Sequence, residues 1–348
     1  MSGLKVCEVL CECFTAYPAT RNSFYTGKKL IFCSFSHQSF IHAARILAER
    51  GHLAEALLGK MEVGDSRPVA IIYSLNLSPD SFYKGSIVRS EREAVARASK
   101  AIEEGARIID VGAMGTGPRS KPISAERETH ELIPIIRTLA REFDAPISAD
   151  TQRAEVAEVA ISAGATVIND ISGLKSDPKM ADIIAGAGCS AVLMATKRAP
   201  GDVYKIDEIR QALRESLHIC RERGIQLKRV ILDPAIGYWP ARLERLGEHA
   251  KEPSGKRAYP AATLFDLKII AELGRLKGLK RPICVGISRK TFIGKVLNLP
   301  DPADRLIGSL AATAIAVLNG ASVVRTHDVK ETLQAVQLAE AIRDAGES

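Results

Sequence analysis

From residue 69 onward the chain alternates between short β-rich apolar runs and longer stretches of helical period, and this rhythm narrows the possible folds more than any other feature. The runs are VAIIYSLNL, RIIDVGA, PISAD, TVINDISG, SAVLMAT, RVILDPA, PICVGIS and SVVRTHD. Segments such as REAVARASKAIEEG and DEIRQALRESLHICRERG separate them, with apolar residues three and four apart, and several end in glycine, a helix stop. Eight strand–helix units over about 280 residues predict an α/β protein, a (β/α)8 TIM barrel. An open doubly wound sheet is the alternative, because strand order is not written in the spacing of the runs. Residues 1–66 stand outside the count. There AARILAERGHLAEALLGKM has helical period and KKLIFCSF reads as a strand, which predicts a small N-terminal extension ahead of a barrel over residues 67–348.

In such a barrel the working face lies at the C-terminal ends of the strands. Those ends carry Asn76, Asp110, Asp150 with Thr151, Asn169 with Asp170, Asp233, the triplet Ser288, Arg289 and Lys290, and finally Arg325, Thr326, His327 and Asp328. Any one of these alone is an ordinary N-cap or turn residue. Seven polar endings converging on one face describe a pocket. Carboxylates and amides suit a flat heterocycle that offers several N–H donors. Lysine, two arginines and a histidine on neighbouring strands suit an anionic group such as a phosphate. The substrate expected is a polar ring with a negatively charged tail.

Composition bears on partners. Lys and Arg number 48 against 41 Asp and Glu, and no basic block is interleaved with aromatics, so nucleic acid is not an expected partner. The seven cysteines form no second cluster with histidine and are odd in number, which points to reduced thiols, with Cys284 a small core residue. Glu8 and Glu12 interrupt any targeting pattern, and Asn319 and Gly320 break the longest apolar stretch, so no membrane association is expected and a cytoplasmic location is. The helices RLIGSLAATAIAVL and KETLQAVQLAEAI are either packed on the barrel or the face of a homodimer.

The segments LNLSPDSF, IIDVGAMGTGP, ISADT, VINDISG, LDPAIGY, GISRKTFIG and VVRTHDV resemble, in order, the motifs of dihydropteroate synthase, within the pterin-binding enzyme superfamily. The resemblance spans roughly residues 69–346 and every strand but the fifth. It implies condensation of 6-hydroxymethyl-7,8-dihydropterin diphosphate with an arylamine, usually 4-aminobenzoate, with loss of pyrophosphate and dependence on Mg2+. It further implies that Asp150, Asn169, Asp233 and Lys290 hold the pterin, with Met194 as an apolar contact and Ser288 beside them. Asn76 would reach the metal and diphosphate, and Arg325 and His327 would grip the diphosphate. The C–O bond breaks early in this family, so positioning and electrostatics carry the reaction without a protein nucleophile.

Three departures stand out. Where these synthases usually read Glu-Ser-Thr-Arg-Pro-Gly after the second strand, this chain reads Met114, Gly115, Thr116, Gly117, Pro118 and Arg119. Thr116 keeps its place, whereas the arginine moves to position 119, where it either swings back over the substrates or faces solvent. Ala195 and Thr196 replace the usual residues after Met194, and Ala235 stands where glycine is expected. The segment WPARLERLGEHAKEPSGKRAYPA after the sixth strand is long, and its Arg242, Arg245, Lys251, Lys256 and Arg257 are either an extra phosphate site or a solvated insertion. The first option suits a larger phosphorylated aminobenzene, as in methanopterin synthesis. A tetrahydropterin-dependent methyltransferase and a non-catalytic pterin-binding protein are the competing functions, and the SRK and RTHD motifs favour the synthase over the methyltransferase because only the synthase needs a diphosphate site.

Overall fold

A computed structural model describes residues 53–79, 83–115, 117, 120–247, 251–254 and 257–347. A hairpin, β1 (Glu55–Leu58) and β2 (Met61–Gly64), comes first. Then follow β3 (Ala70–Asn76), β4 (Ile108–Gly112), β5 (Ile147–Asp150), β6 (Val167–Asp170), β7 (Ser190–Met194), β8 (Val230–Asp233), a second hairpin of β9 (Lys251–Ser254) and β10 (Arg257–Pro260), β11 (Cys284–Gly286) and β12 (Val323–Thr326). All strands but the two hairpins join one eight-stranded parallel sheet in the order β11-β12-β3-β4-β5-β6-β7-β8. The two ends of that order meet: Leu232 pairs in parallel with Ile283, and its N–H reaches the Pro282 carbonyl at 3.0 Å. The sheet closes into a (β/α)8 barrel, which excludes the doubly wound alternative.

The outer layer comprises α1 (Glu91–Glu103), α2 (Ala125–Glu142), α3 (Ala154–Ser162), α4 (Met180–Ala187), α5 (Ile206–Glu222), α6 (Pro240–Leu246), α7 (Ala261–Ala271), α8 (Thr291–Leu297), α9 (Leu306–Leu318) and α10 (Val329–Glu347). Local chemistry sets their starts. Ser90 caps α1 by accepting from the Glu93 N–H at 3.2 Å, and Ser124 does the same for α2 with Arg127 at 3.3 Å. The large core lies between these helices and the outward strand residues.

Side chains on a strand alternate between faces, so the inward set follows from one member. Ala70 and Ile72, Ile108, Val167, Val192, Ile231, Cys284 and Val323 share a dry cluster inside the barrel, with Ala56, Leu58 and Val63 of the first hairpin closing it below. Two residues further along each strand the same face carries Ser74, Asp110, Asn169, Met194, Asp233, Gly286 and Arg325, with Ser148 and Asp150 on β5. The interior therefore changes from apolar floor to polar mouth within one strand period.

The helical expectation for residues 43–61 does not hold over Leu53–Met61. That stretch forms β1 and turns into β2, because its Ala56 and Leu58 alternate into the barrel floor. The first hairpin thus packs as part of the barrel, ahead of the boundary expected at residue 67. The KKLIFCSF strand and the cysteines at 7, 11, 13 and 33 lie outside the described residues. The long segment after β8 is α6 followed by the β9–β10 ladder.

Candidate active site

The mouth is organised around Asp110, which the sequence placed at a strand end without assigning it a role. Its carboxylate accepts from Ser148 Oγ at 2.5 Å, Asn169 Nδ2 at 3.3 Å and Arg325 Nε at 2.6 Å. Arg325 Nη2 also reaches Asp150 Oδ2 at 3.2 Å. One guanidinium therefore bridges the buried Asp110 and the partly buried Asp150. Burial first, and the neighbouring Asp110 charge second, push Asp150 up to about 7, against the pull of Arg325. Burial works against the Arg325 cation too, but Asp110 and Asp150 outweigh it and hold its pKa above the ordinary value.

Asp233 and Lys290 form the other side. Asp233 Oδ1 accepts from the Ala235 N–H at 2.7 Å, and burial raises its pKa against the opposing charge of Lys290. Lys290 Nζ donates to the Ile236 carbonyl, and the Trp239 ring lies 5.8 Å away. Burial lowers the Lys290 pKa, while Asp233 and Asp266 counter it. Met194 is buried and pairs in register with Asp233. The strands thus bring together Asp150, Asn169, Met194, Asp233, Lys290 and Arg325 as expected, and add Asp110 and Ser148.

At the rim, His327 Nδ1 meets the Ser74 carbonyl at 3.2 Å, so this nitrogen carries the proton. Burial, then the Arg325 cation, push its pKa down to about 4. Tyr83, in the loop after β3, sets its ring 5.6 Å from His327. Ser288 Oγ is 3.3 Å from Asp328 and accepts from the His327 N–H at 3.4 Å, so it buttresses the histidine backbone. Asn76 Nδ2 donates to Ser86 Oγ at 2.8 Å, and its carboxamide oxygen accepts from no described residue. Such a hard oxygen fits Mg2+, which takes few protein ligands and completes its shell with phosphate oxygens and water. No cage of three or more His, Cys, Asp or Glu exists among the described residues. The donor set therefore suits a Mg2+ ion that arrives with a diphosphate.

Two expected phosphate contacts are corrected. Arg289 forks onto Asp328 at 2.8 and 2.7 Å, gives Nη1 to the Pro302 and Ala303 carbonyls, and covers the Tyr83 ring at 4.4 Å. Arg242 is wholly buried against Asp266, and Arg245 lies over the Tyr204 ring at 4.3 Å. The charges of Arg289 and Arg242 are thus already engaged, whereas Arg245 stays exposed. The side chains of Lys251, Lys256 and Arg257, like residues Thr116 and Arg119, lie outside the described residues. The glycine-rich loop is anchored at its far end, where Arg153 holds the Ile123 carbonyl at 2.7 Å and pairs with the buried Glu128. Beside that loop a cleft of about 220 Å³ opens between Met114, Gly115, Gln152, Ile171, Pro200 and Trp239.

A closed parallel barrel with carboxylates, an amide and a lysine inside its mouth defines a site for a flat, nitrogen-rich ring. The pterin binding enzyme family model matches residues 73–253 and 259–327, and the chain belongs to this family, on its dihydropteroate synthase branch. It is 33% identical over 303 residues to the dihydropteroate synthase of Bacillus subtilis, covering 84% of this chain and 98% of that one. Against the Synechocystis synthase it is 36% identical over 277 residues, covering 77% and 88%. Among solved structures, the Coxiella burnetii dihydropteroate synthase in complex with pteroic acid superposes with a TM-score of 0.69 at 31% identity, over 84% of this chain and 99% of that one. The Xanthomonas albilineans synthase with 4-aminobenzoic acid gives 0.69 at 30%, over 84% and 98%.

Proposed function

We propose that this protein condenses 6-hydroxymethyl-7,8-dihydropterin diphosphate with 4-aminobenzoate and releases pyrophosphate, as a transferase of folate synthesis. The observation that carries this reading is the ring of Asp110, Asp150, Asn169, Asp233, Lys290 and Arg325 inside the barrel mouth. Asp150 and Asp233 accept the N–H groups of the pterin, Asn169 offers both a donor and an acceptor, and Lys290 donates to its acceptor atoms. Met194 packs on the ring. Arg325 and His327 hold the diphosphate with Ser288 setting the histidine, while Thr116 and Arg119 act from the glycine-rich loop.

The chemistry needs no covalent step through the protein. Ser288 is engaged with Asp328, and burial raises the thiols of Cys189 to about 11 and Cys220 to about 12. Asn76 would supply an oxygen to Mg2+, which when bound offsets charge on the departing diphosphate. Burial of Arg242 against Asp266 removes one of the five cations that would favour a phosphorylated amine. A homodimer across α9 and α10 fits their bare apolar residues: Ile307 is 81% and Leu338 64% exposed. No helix among the described residues is long and apolar enough to cross a membrane, which accords with a cytoplasmic enzyme.

The test is pyrophosphate release on mixing pterin diphosphate, Mg2+ and protein, before and after adding 4-aminobenzoate. Release only after the amine supports the synthase. Pterin binding with no release under either condition would sink it in favour of a methyltransferase or a binding protein.

A further inference from the structure

The turn after β8 is held by two charged side chains that act on Asp233 and Lys290 through their fields but make no hydrogen bond to either. Arg242 on α6 and Asp266 on α7 are both 0% exposed. A single nitrogen, Arg242 Nη1, reaches the Ala235 carbonyl at 2.9 Å, the Gly237 carbonyl at 2.8 Å and Asp266 Oδ1 at 3.0 Å. The same Asp266 oxygen accepts from the Gly237 N–H at 2.9 Å. An arginine–carboxylate pair built for strength closes as a two-pronged fork. Here the fork is not made: Arg242 Nε and Asp266 Oδ2 have no hydrogen-bond partner among the described residues. The pair gives up its second prong to grip both carbonyls and one N–H of the turn.

That turn touches the pterin residues on its other side. Its Ala235 N–H holds Asp233, its Ile236 carbonyl takes the Lys290 ammonium, and a Cβ at Gly237 would lie 3.2 Å from Lys290 Nζ. Ala235 sits at φ +63° and Gly237 at +133°, conformations that need support from outside the turn. Trp239 gives some, through Nε1 to the Ala235 carbonyl at 3.0 Å.

We infer that Arg242 and Asp266 are positioning residues for pterin recognition, acting through the Ala235–Gly237 turn to set Asp233 and Lys290. This rests on the reading above that those two residues hold the pterin.

The experiment combines thermal melts with steady-state kinetics on Arg242→Met, Asp266→Leu, the double variant, Arg242→Lys and a Lys290→Met control. Each of the first two leaves a buried charge unpaired and is expected to lose stability, whereas the double variant removes both charges and is expected to melt near the parent. Its turn has nonetheless lost its grip, so KM for the pterin diphosphate is expected to rise about ten-fold, with KM for 4-aminobenzoate unchanged. Arg242→Lys keeps the charge but not the planar reach, and is expected to fold and show a smaller rise in the same constant. A folded double variant, or a folded Arg242→Lys, with the parent's KM for pterin diphosphate overturns the inference. If Lys290→Met also leaves that KM unchanged, the pterin-site reading itself falls. If Lys290→Met raises it and the others do not, only the positioning role falls.

Discussion

Replacing Asp150 by Asn should stabilise the protein at alkaline pH while weakening its hold on the pterin. In the folded chain Asp150 keeps its proton up to about 7, whereas its ordinary value is 3.8. Between those values the folded state binds more protons than the unfolded one, so stability falls as pH rises through the window. The full difference of roughly three pH units corresponds to about 4 kcal/mol. Asparagine has the same shape and no proton to lose, although Arg325 then bonds to a neutral oxygen in place of a charged one. A net gain of about 2 kcal/mol above pH 7 remains after allowing for that weaker hydrogen bond. For a chain of this size it should appear as a Tm rise of about 5 °C. Denaturant melts of both proteins from pH 5 to 8.5 give the difference directly. Taking the difference also largely cancels His327, whose depressed pKa acts oppositely: its contribution is lost as pH falls from the ordinary 6.5 to about 4. Parallel curves for the two proteins, or an Asn variant less stable at pH 8, would refute the raised pKa that burial first, and Asp110 second, give Asp150.

Three further outcomes are expected. His327 is neutral near pH 7 and donates through Nδ1 to Ser74, so binding of Mg2+-free pyrophosphate should take up a proton at Nε2; calorimetry in buffers of different ionisation enthalpy should show this uptake, and His327→Gln should abolish it. Gly237→Ala places a methyl 3.2 Å from Lys290 Nζ at φ +133°, and should cost about 1–3 kcal/mol in denaturant melts and raise KM for the pterin diphosphate. Ile307→Glu combined with Leu338→Glu should halve the mass seen by light scattering if α9 and α10 form the dimer face, with the melting temperature of the dilute protein little changed.

The barrel was legible because each strand announces itself by composition and each helix by period, and because strand order in a closed (β/α)8 sheet simply follows chain order. Asp150, Asn169 and Asp233 were legible for the same reason: they lie two residues beyond Ser148, Val167 and Ile231, at the last inward position of their strands. Asp110 carries that signal equally, two residues beyond Ile108, and applying the inward period to β4 places it in the site. The hairpin was misread because Ala and Leu recur at helical spacing by chance over so short a stretch, and only contact with the barrel floor selects the strand.

Charge near a strand end proved a poorer guide than strand position, and the reason bears on mechanism. Ser288, Arg289 and Lys290 are consecutive, so they cannot all face one ligand; Arg289, at φ +57°, turns away to fork onto Asp328. Arg242, read from sequence as a possible phosphate ligand, turns inward to a carboxylate. With both arginines engaged, the described residues of the mouth set Asp110, Asp150 and Asp233 against Arg325 and Lys290. Such an interior suits a neutral ring rich in N–H donors. On the reading proposed above, it also favours positive charge developing on the pterin methylene carbon as the diphosphate departs toward Asn76 and His327, which additional arginines beside the ring would oppose.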